Sequence, residues 1–275
     1  MTRISMRLPG ILALLPFALA LNGCASKAPA SPFEQTLTDA GVKSLCANLS
    51  QRGCEQKVAE IQAKKQKDLT EQAEKDRVGK LPHADPGVPD SQYVELNGGY
   101  QLATLFYALS GMPPDFEALA SAASEEYRGA GDEFRKRDLL QALRPKMEEL
   151  IATFRDPKNR YFIMEESGLP IQHYDFKTSS FPVNFNVGPT AYNFFNDAPK
   201  YHLSYNNGSD FLRFPVADEQ RAKDIEAMVS KYELQSGQAR LYVFVQEADT
   251  TNNQLKAQIV RVVLKDRKHA EIGRY

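Results

Sequence analysis

The chain opens on an apolar run and afterwards changes its periodicity twice. Residues 8–21 are almost wholly apolar but interrupted by Pro9, Gly10 and Pro16. A helical membrane span needs about 20 apolar residues, so this run is too short and too broken to cross a bilayer permanently. Arg3 and Arg7 precede it, the charge arrangement of an export signal that is removed from the mature chain. Residues 25–32, with Ser26, Pro29, Ser31 and Pro32, read as a short tether. Helical spacing follows over 33–49 and over 54–77, on either side of a break at 50–53. In the second of these helices Val58, Ile61 and Leu69 are almost the only large apolar side chains. So thin a stripe buries little surface, which leaves a solvated helix, a spacer or a coiled-coil strand as its readings. Pro82, Pro86, Gly87 and Pro89 then mark 79–92 as a linker.

From residue 93 the pattern predicts a larger domain in two parts. The first, 93–156, is helical: 96–109 carries Leu102, Leu105, Phe106 and Leu109, and Gly111, Pro113 and Pro114 stop it. Asp115 is placed to cap a second helix reaching 127. A third begins at Asp132, with Phe134, Leu139, Leu143, Met147, Leu150, Ile151 and Phe154 near helical spacing; Pro145 inside it predicts a kink or local break.

The second part, 157–275, consists of short apolar and aromatic runs divided by turns. Strands are expected at 160–164, 172–176, 181–187, 200–205 and 211–216, with Asn206, Asn207 and Gly208 turning the last two into a hairpin. An amphipathic helix over 218–232 precedes two long strands, 239–246 and 255–264, and a final strand near Ile272. Helices, then strands, then one helix and further strands argue for an α+β fold with a mostly antiparallel sheet and one packed helix, preceded by an N-terminal helical hairpin.

Leu21, Asn22, Gly23 and Cys24 close the export signal. This ending resembles the lipobox of bacterial lipoproteins, in which the signal (1–23) is removed and the cysteine becomes the first mature residue, carrying acyl chains such as palmitate. The resemblance implies a membrane anchor at Cys24 and a tether over 24–32. With Ala25 in place of aspartate next to it, it also implies the inner leaflet of the outer membrane, facing the periplasm. Several acyl chains hold a protein stably where one does not, each buried methylene contributing about 0.8 kcal/mol. An ordinary secretory signal cut nearby, with Cys24 discarded, is the alternative.

Charge and cysteine content narrow the picture further. Without Arg3 and Arg7 the 34 basic residues fall to 32, against 35 acidic ones. That balance supports neither a nucleic-acid partner nor a basic membrane-binding patch. With Cys24 acylated, Cys46 and Cys54 form the one remaining pair, and in an oxidising compartment a disulfide is expected to staple the helical hairpin of 33–78.

The recognised catalytic constellations are missing from the sequence: no Gly-x-Ser-x-Gly elbow, no His-Glu-x-x-His, no Walker loop, no Gly-x-Gly-x-x-Gly. The four histidines, His83, His173, His202 and His269, have no second histidine at ligand spacing, so neither a metal nor another cofactor is expected. Glu165 and Glu166 are adjacent and point to opposite faces of a strand, which excludes them as a facing acid–base pair by themselves. What does concentrate is aromatic density. Between Tyr161 and Phe214 lie 13 of the 27 aromatic residues, interleaved with Asn184, Asn186, Asn193, Asn196, Asn206 and Asn207, and the chain has no Trp. Rings stack while amides satisfy hydroxyls, so Tyr174, Asn184, Asn186, Tyr192, Asn193 and Tyr205 are candidates to face a glycan or peptide ligand. Core packing of strand aromatics, with Asn in turns, explains the same pattern.

The segments Tyr93-Val-Glu-Leu, Phe134-Arg-Lys-Arg-Asp-Leu-Leu and Arg160-Tyr-Phe resemble an uncharacterised family of bacterial envelope domains, a resemblance covering 93–275. It implies a fold boundary and no activity. Two functional classes follow. One is a non-enzymatic, lipid-anchored interaction module that binds another envelope protein. The other is a domain that binds or hydrolyses glycan or peptidoglycan through 161–214.

Overall fold

The computed structural model describes residues 42, 45–169 and 171–275. The signal segment, Cys24, the tether and most of the first predicted helix lie outside the described residues. The chain separates into two compact units, 1–73 and 74–275.

In the first unit the Ser50 hydroxyl accepts the Gly53 N–H at 3.2 Å and starts helix α1, Gln51–Val78, in the manner of a helix cap. Cys46 and Cys54 are joined by a disulfide with their Cα atoms 5.0 Å apart, so the turn before α1 is stapled to its first turn. No residue of α1 is buried, as its thin apolar stripe dictates. At 1.5 Å per residue the helix spans about 42 Å. Among the described residues no helix is long and apolar enough to cross a membrane.

The second unit is α+β. Its helices are α2 (Gly99–Ser110), α3 (Phe116–Ala123), α4 (Glu125–Gly129), α5 (Glu133–Arg155) and α6 (Glu219–Ser230). Its strands are β1 (Val94–Glu95), β2 (Tyr161–Ser167), β3 (Ser180–Pro182), β4 (His202–Tyr205), β5 (Arg213–Pro215), β6 (Gln238–Asp249), β7 (Gln254–Lys265) and β8 (Glu271–Arg274). The main sheet runs β1-β2-β6-β7-β4, with β8 also on β7, and β3 and β5 form a separate ribbon. β2–β6, β6–β7 and β7–β8 are antiparallel, while β1–β2 and β4–β7 are parallel.

Each helix start has a side-chain cap where the sequence supplies one. Asp115 accepts the Ala118 N–H, Ser124 the Tyr127 N–H, Asp132 the Phe134 N–H and Asp218 the Arg221 N–H. Ser124 also closes α3, so the single helix expected from Asp115 to 127 is two. α2 has no such residue before it; Asp197, nearly a hundred residues away, accepts from Gly99 N (2.9 Å) and Tyr100 N (3.2 Å) instead. Its far end turns at Gly111, in the left-handed region at φ 68°, which glycine adopts without steric cost. α5 runs through Pro145 without the expected break; Met147, Ile151 and Phe154 on one face are buried, and that packing outweighs the one lost backbone bond. Phe134 departs from the stripe: it is exposed, with the Arg137 guanidinium over its ring at 5.4 Å.

The long strands β6 and β7 are buried on both faces. Ala239, Leu241, Val243, Val245, Leu255, Ala257, Ile259, Val262 and Leu264 join the main core with α2 and α5, and Tyr242, Phe244 and Val263 join a second, smaller cluster on the opposite face. Arg160, buried at the junction of α5 and β2, donates from Nε to the Phe154 carbonyl at 3.0 Å and from Nη2 to that of Arg155 at 2.5 Å, satisfying carbonyls that the helix end leaves free.

The predicted hairpin across 206–208 does not form. β4 pairs with β7 and β5 with β3, because Asn207 serves a different purpose from a turn residue. Its side-chain amide accepts the Ile259 N–H at 2.8 Å and donates to the Ile259 carbonyl at 2.9 Å, extending the β4–β7 ladder by one residue-equivalent. The backbone of Tyr275 then exchanges both bonds with Val262, so β4, the Asn207 amide and the chain end together cover one edge of β7. Gly208 is required next to it, since a Cβ there would overlap the Val187 carbonyl. Of the expected strand 172–176 only an isolated bridge at Asp175 exists, and of 181–187 only Phe181 and Pro182, within β3, and Val183, bridged to Ile171, are paired.

Candidate functional site

Four of the six candidate ligand-facing residues form one hydrogen-bonded chain beside the β4 edge. Asn186 Nδ2 donates to the Tyr192 carbonyl (2.8 Å) and to Asn193 Oδ1 (3.0 Å), and Asn193 Nδ2 donates to the Tyr205 hydroxyl (3.2 Å). The Asn193 backbone exchanges two 2.8 Å bonds with Leu203, closing the outer side of β4 to strand addition at that residue. Both amide hydrogens of Asn186 and one of the two of Asn193 are thus bonded within the protein. Tyr205 is buried, and that burial pushes its ionisation well above the ordinary tyrosine value. Tyr174 lies elsewhere: its ring meets Phe181 at 5.0 Å and its hydroxyl donates to the Val216 carbonyl at 2.9 Å. Asn184 is exposed and stands apart from both groups.

What this edge does present is a cluster of rings that the Asn-centred reading passed over in part. Tyr192 and Phe194 are half exposed, at 48% and 50%. The Tyr192 ring meets His202 at 4.6 Å with the planes tilted by 55°, and Phe194 lies edge-on 6.3 Å from the same imidazole. Phe194 and His202 were findable: residues two apart in an extended chain share a face, which pairs Phe194 with Tyr192 and His202 with Ser204. Ser204, Tyr205 and Asn206 also line a groove of about 310 Å³ with Thr190, Gln254 and Lys256. Glu74 closes it, 3.7 Å from Lys256 Nζ. Its hydrogen bond with Arg77 holds the Glu74 carboxyl below the usual carboxylate range, and Arg77 reaches Glu247 at 2.5 Å. These charges are mutually engaged, and the groove carries no nucleophile next to a base.

A second cleft, about 570 Å³, has an apolar floor of Leu169, Ile171, Val229 and Leu234, with His173 and Ser230 at its rim. His173 Nδ1 lies 2.6 Å from Glu226 Oε1, and Ser230 Oγ donates to that same oxygen at 3.2 Å. The serine proton therefore faces the carboxylate and not the imidazole, so the order of a Ser-His-acid relay is not made. Burial opposes ionisation of Glu226, but the bonds from His173 and from Tyr174 N outweigh it and hold the carboxyl below its usual range. Among the described residues no group of three His, Cys, Asp or Glu side chains could hold a metal ion.

No family model matches the chain, and no curated protein and no solved structure gives a significant match.

Proposed function

We propose that this protein is a lipid-anchored envelope module that acts by binding another envelope protein and performs no chemistry of its own. The observation that carries the reading is α1: a 28-residue helix without one buried residue, placed between the lipobox-like Cys24 and a folded unit. Its thin apolar stripe buries little, so packing accounts for little of its length, about 42 Å at 1.5 Å per residue. The acylated Cys24 supplies the membrane contact, in the outer membrane's inner leaflet, and the Tyr192–Phe194–His202 edge supplies an exposed contact surface of the aromatic kind enriched at interfaces.

A second reading, glycan or peptidoglycan binding at the same edge, is favoured by one observation: half-exposed rings beside a polar groove. One experiment separates the two. A photo-crosslinking phenylalanine analogue is placed at Tyr192 in the full chain, with and without Cys24→Ala, in cells. The interaction reading expects a discrete protein adduct that is lost with Cys24→Ala. A membrane-bound protein that gives no protein adduct overturns it, and saturable retention on peptidoglycan sacculi that Tyr192→Ala abolishes would establish the second reading.

A further inference from the structure

The segment 79–92, proline-rich and linker-like in sequence, is bonded along the face of the sheet opposite the helices. That face carries Tyr93, Tyr161, Ile163, Tyr242, Phe244 and Val263, and only Ala84 and Val88 of the segment pack on it. Most of the recognition is of backbone. Gln246 Nε2 donates to the Pro82 carbonyl (2.9 Å), Gln258 Oε1 accepts the Ala84 N–H (3.0 Å) and the Tyr161 hydroxyl accepts the Asp85 N–H (2.9 Å). Asp85 and Val88 then close a turn over Pro86 and Gly87. One side chain is read by charge: Asp90 pairs with Arg261 and accepts from the Tyr242 hydroxyl at 3.2 Å. Arg261 in turn lies over the Tyr242 ring at 4.0 Å.

We infer that this face is a peptide-binding groove filled in cis by residues 79–92, and that its occupant in trans is an extended segment of a partner protein with a small apolar residue followed six positions later by an acidic one. Side chains that bond a backbone accept any chain of similar course, while the aromatic bed and Arg261 set the choice of residues. The present occupant fits incompletely. Tyr93 is 7% exposed, and its hydroxyl is buried without a hydrogen-bond partner, as is Arg261 Nε. Burial pushes the ionisation of Tyr93 up to about 12, so its hydroxyl stays neutral and keeps an unused donor among the rings of Tyr161 and Tyr242. A partner segment carrying a carbonyl or carboxylate at that point would satisfy it. The inference goes beyond the tethered-module reading and does not depend on the lipid anchor.

The test uses the full-length protein in mild detergent and, as probe, a fluorescent synthetic peptide with the sequence of residues 79–92. Asp90→Asn loosens the resident segment without altering the groove. Amide exchange at Ala84 and Asp85 is expected to accelerate about tenfold, and the peptide to bind this variant about tenfold more tightly than the wild type. Adding Arg261→Ala is expected to abolish that binding, as is replacing the aspartate of the peptide that corresponds to Asp90 by asparagine. Val88→Ser loosens the segment independently should Asp90→Asn fail to fold. Unchanged exchange at Ala84 and Asp85, or accelerated exchange without saturable peptide binding, overturns the inference. So does a peptide-free dimer of either variant by light scattering, which would mean that two copies exchange the segment.

Discussion

Replacing Asn207 by alanine removes the one side chain that stands in for a strand residue against β7. Ile259 is 1% exposed, so its N–H and C=O lose their partners without gaining free access to water. An unsatisfied buried polar group costs about 1–3 kcal/mol, and partial water entry at the edge places the expected loss for Asn207→Ala at about 2–4 kcal/mol. For a unit of this size 1 kcal/mol shifts the melting temperature by about 2–4 °C, so a fall of roughly 5–12 °C is expected. Circular dichroism on heating and tyrosine fluorescence in urea would read it, tyrosine serving because the chain has no Trp. Asn207→Asp sharpens the test. Its carboxylate still accepts the Ile259 N–H but sets a second oxygen against the Ile259 carbonyl, which only a protonated carboxyl could donate to. The folded state therefore raises the carboxyl pKa above the unfolded value of about 3.9, and the resulting stability is present below that value and lost as pH rises through the folded pKa. Asn207→Asp should match the alanine variant at pH 7 and recover part of the loss towards pH 4. An alanine variant within about 0.5 kcal/mol of wild type, or an aspartate variant without pH dependence, would refute the strand-mimic reasoning.

Asp197→Ala should cost about 1–2 kcal/mol, in the range of lost helix caps, and Asp197→Asn less, since one oxygen remains to accept from Gly99 or Tyr100; urea midpoints at constant slope check the order. Burial raises the Glu166 carboxyl above its usual value, so its neutral form is the one the fold favours and its contribution is lost as pH rises through the folded pKa. Glu166→Gln is accordingly expected to melt higher than wild type at pH 7, with the difference vanishing towards pH 4, and a difference that grows on acidification would contradict this. Opening the Cys46–Cys54 loop by the double serine variant removes about 2–3 kcal/mol in the chain-entropy model. Faster amide exchange in the first turns of α1 is the expected sign, and unchanged protection there would show that the staple contributes nothing.

The order of elements was legible because it rests on periodicity. β6 and β7, the helices α2, α5 and α6, and the exposure of α1 all follow from which positions are apolar. Capping was legible for the same local reason, since Asp115, Asp132 and Asp218 sit immediately before the helices they start. What periodicity does not carry is partner choice across long separations. Asp197 caps a helix nearly a hundred residues earlier, and Asn207 completes a ladder with a strand about fifty residues later, yet as sequence they read as a loop acid and a turn residue. The candidate site divides along the same line. The aromatic density of 161–214 marks real clusters, but Phe181, Tyr201, Tyr205 and Phe214 are buried and the amides beside Tyr192 bond one another and Tyr205, which no local pattern announces. The segment 79–92 is the sharpest case: prolines make it read as a linker, while the side chains that bind it, Gln246, Gln258, Tyr161, Tyr242 and Arg261, are strand residues whose facing is settled only once the sheet is paired.

That pairing also decides where function can reside. A sheet built on a strand pair as long as β6–β7 has two faces, and burying one under α2 and α5 leaves a second to which Tyr242 and Phe244 of β6 and Tyr161 of β2 contribute, with Tyr93 beside them. Among the described residues no strand or α-helix covers it; the 14-residue segment 79–92 does, irregular up to a single 3-10 turn at Asp90–Gln92, held mainly by polar bonds and leaving two polar atoms unpaired. A cover evolved only for stability would be expected to present more than Ala84 and Val88 to so aromatic a surface, because apolar contact is the larger source of stabilisation per unit area. The polar, backbone-directed hold is the kind a groove needs if its occupant is to be exchanged. The β4 edge, by contrast, is closed at Leu203 and exposes the Tyr192 and Phe194 rings beside a polar groove. The two surfaces thus suit different work, stacking contact at the edge and capture of an extended chain on the face, and peptide binding by the Asp90→Asn protein with the edge mutated at Tyr192 and Phe194 would show whether they act independently.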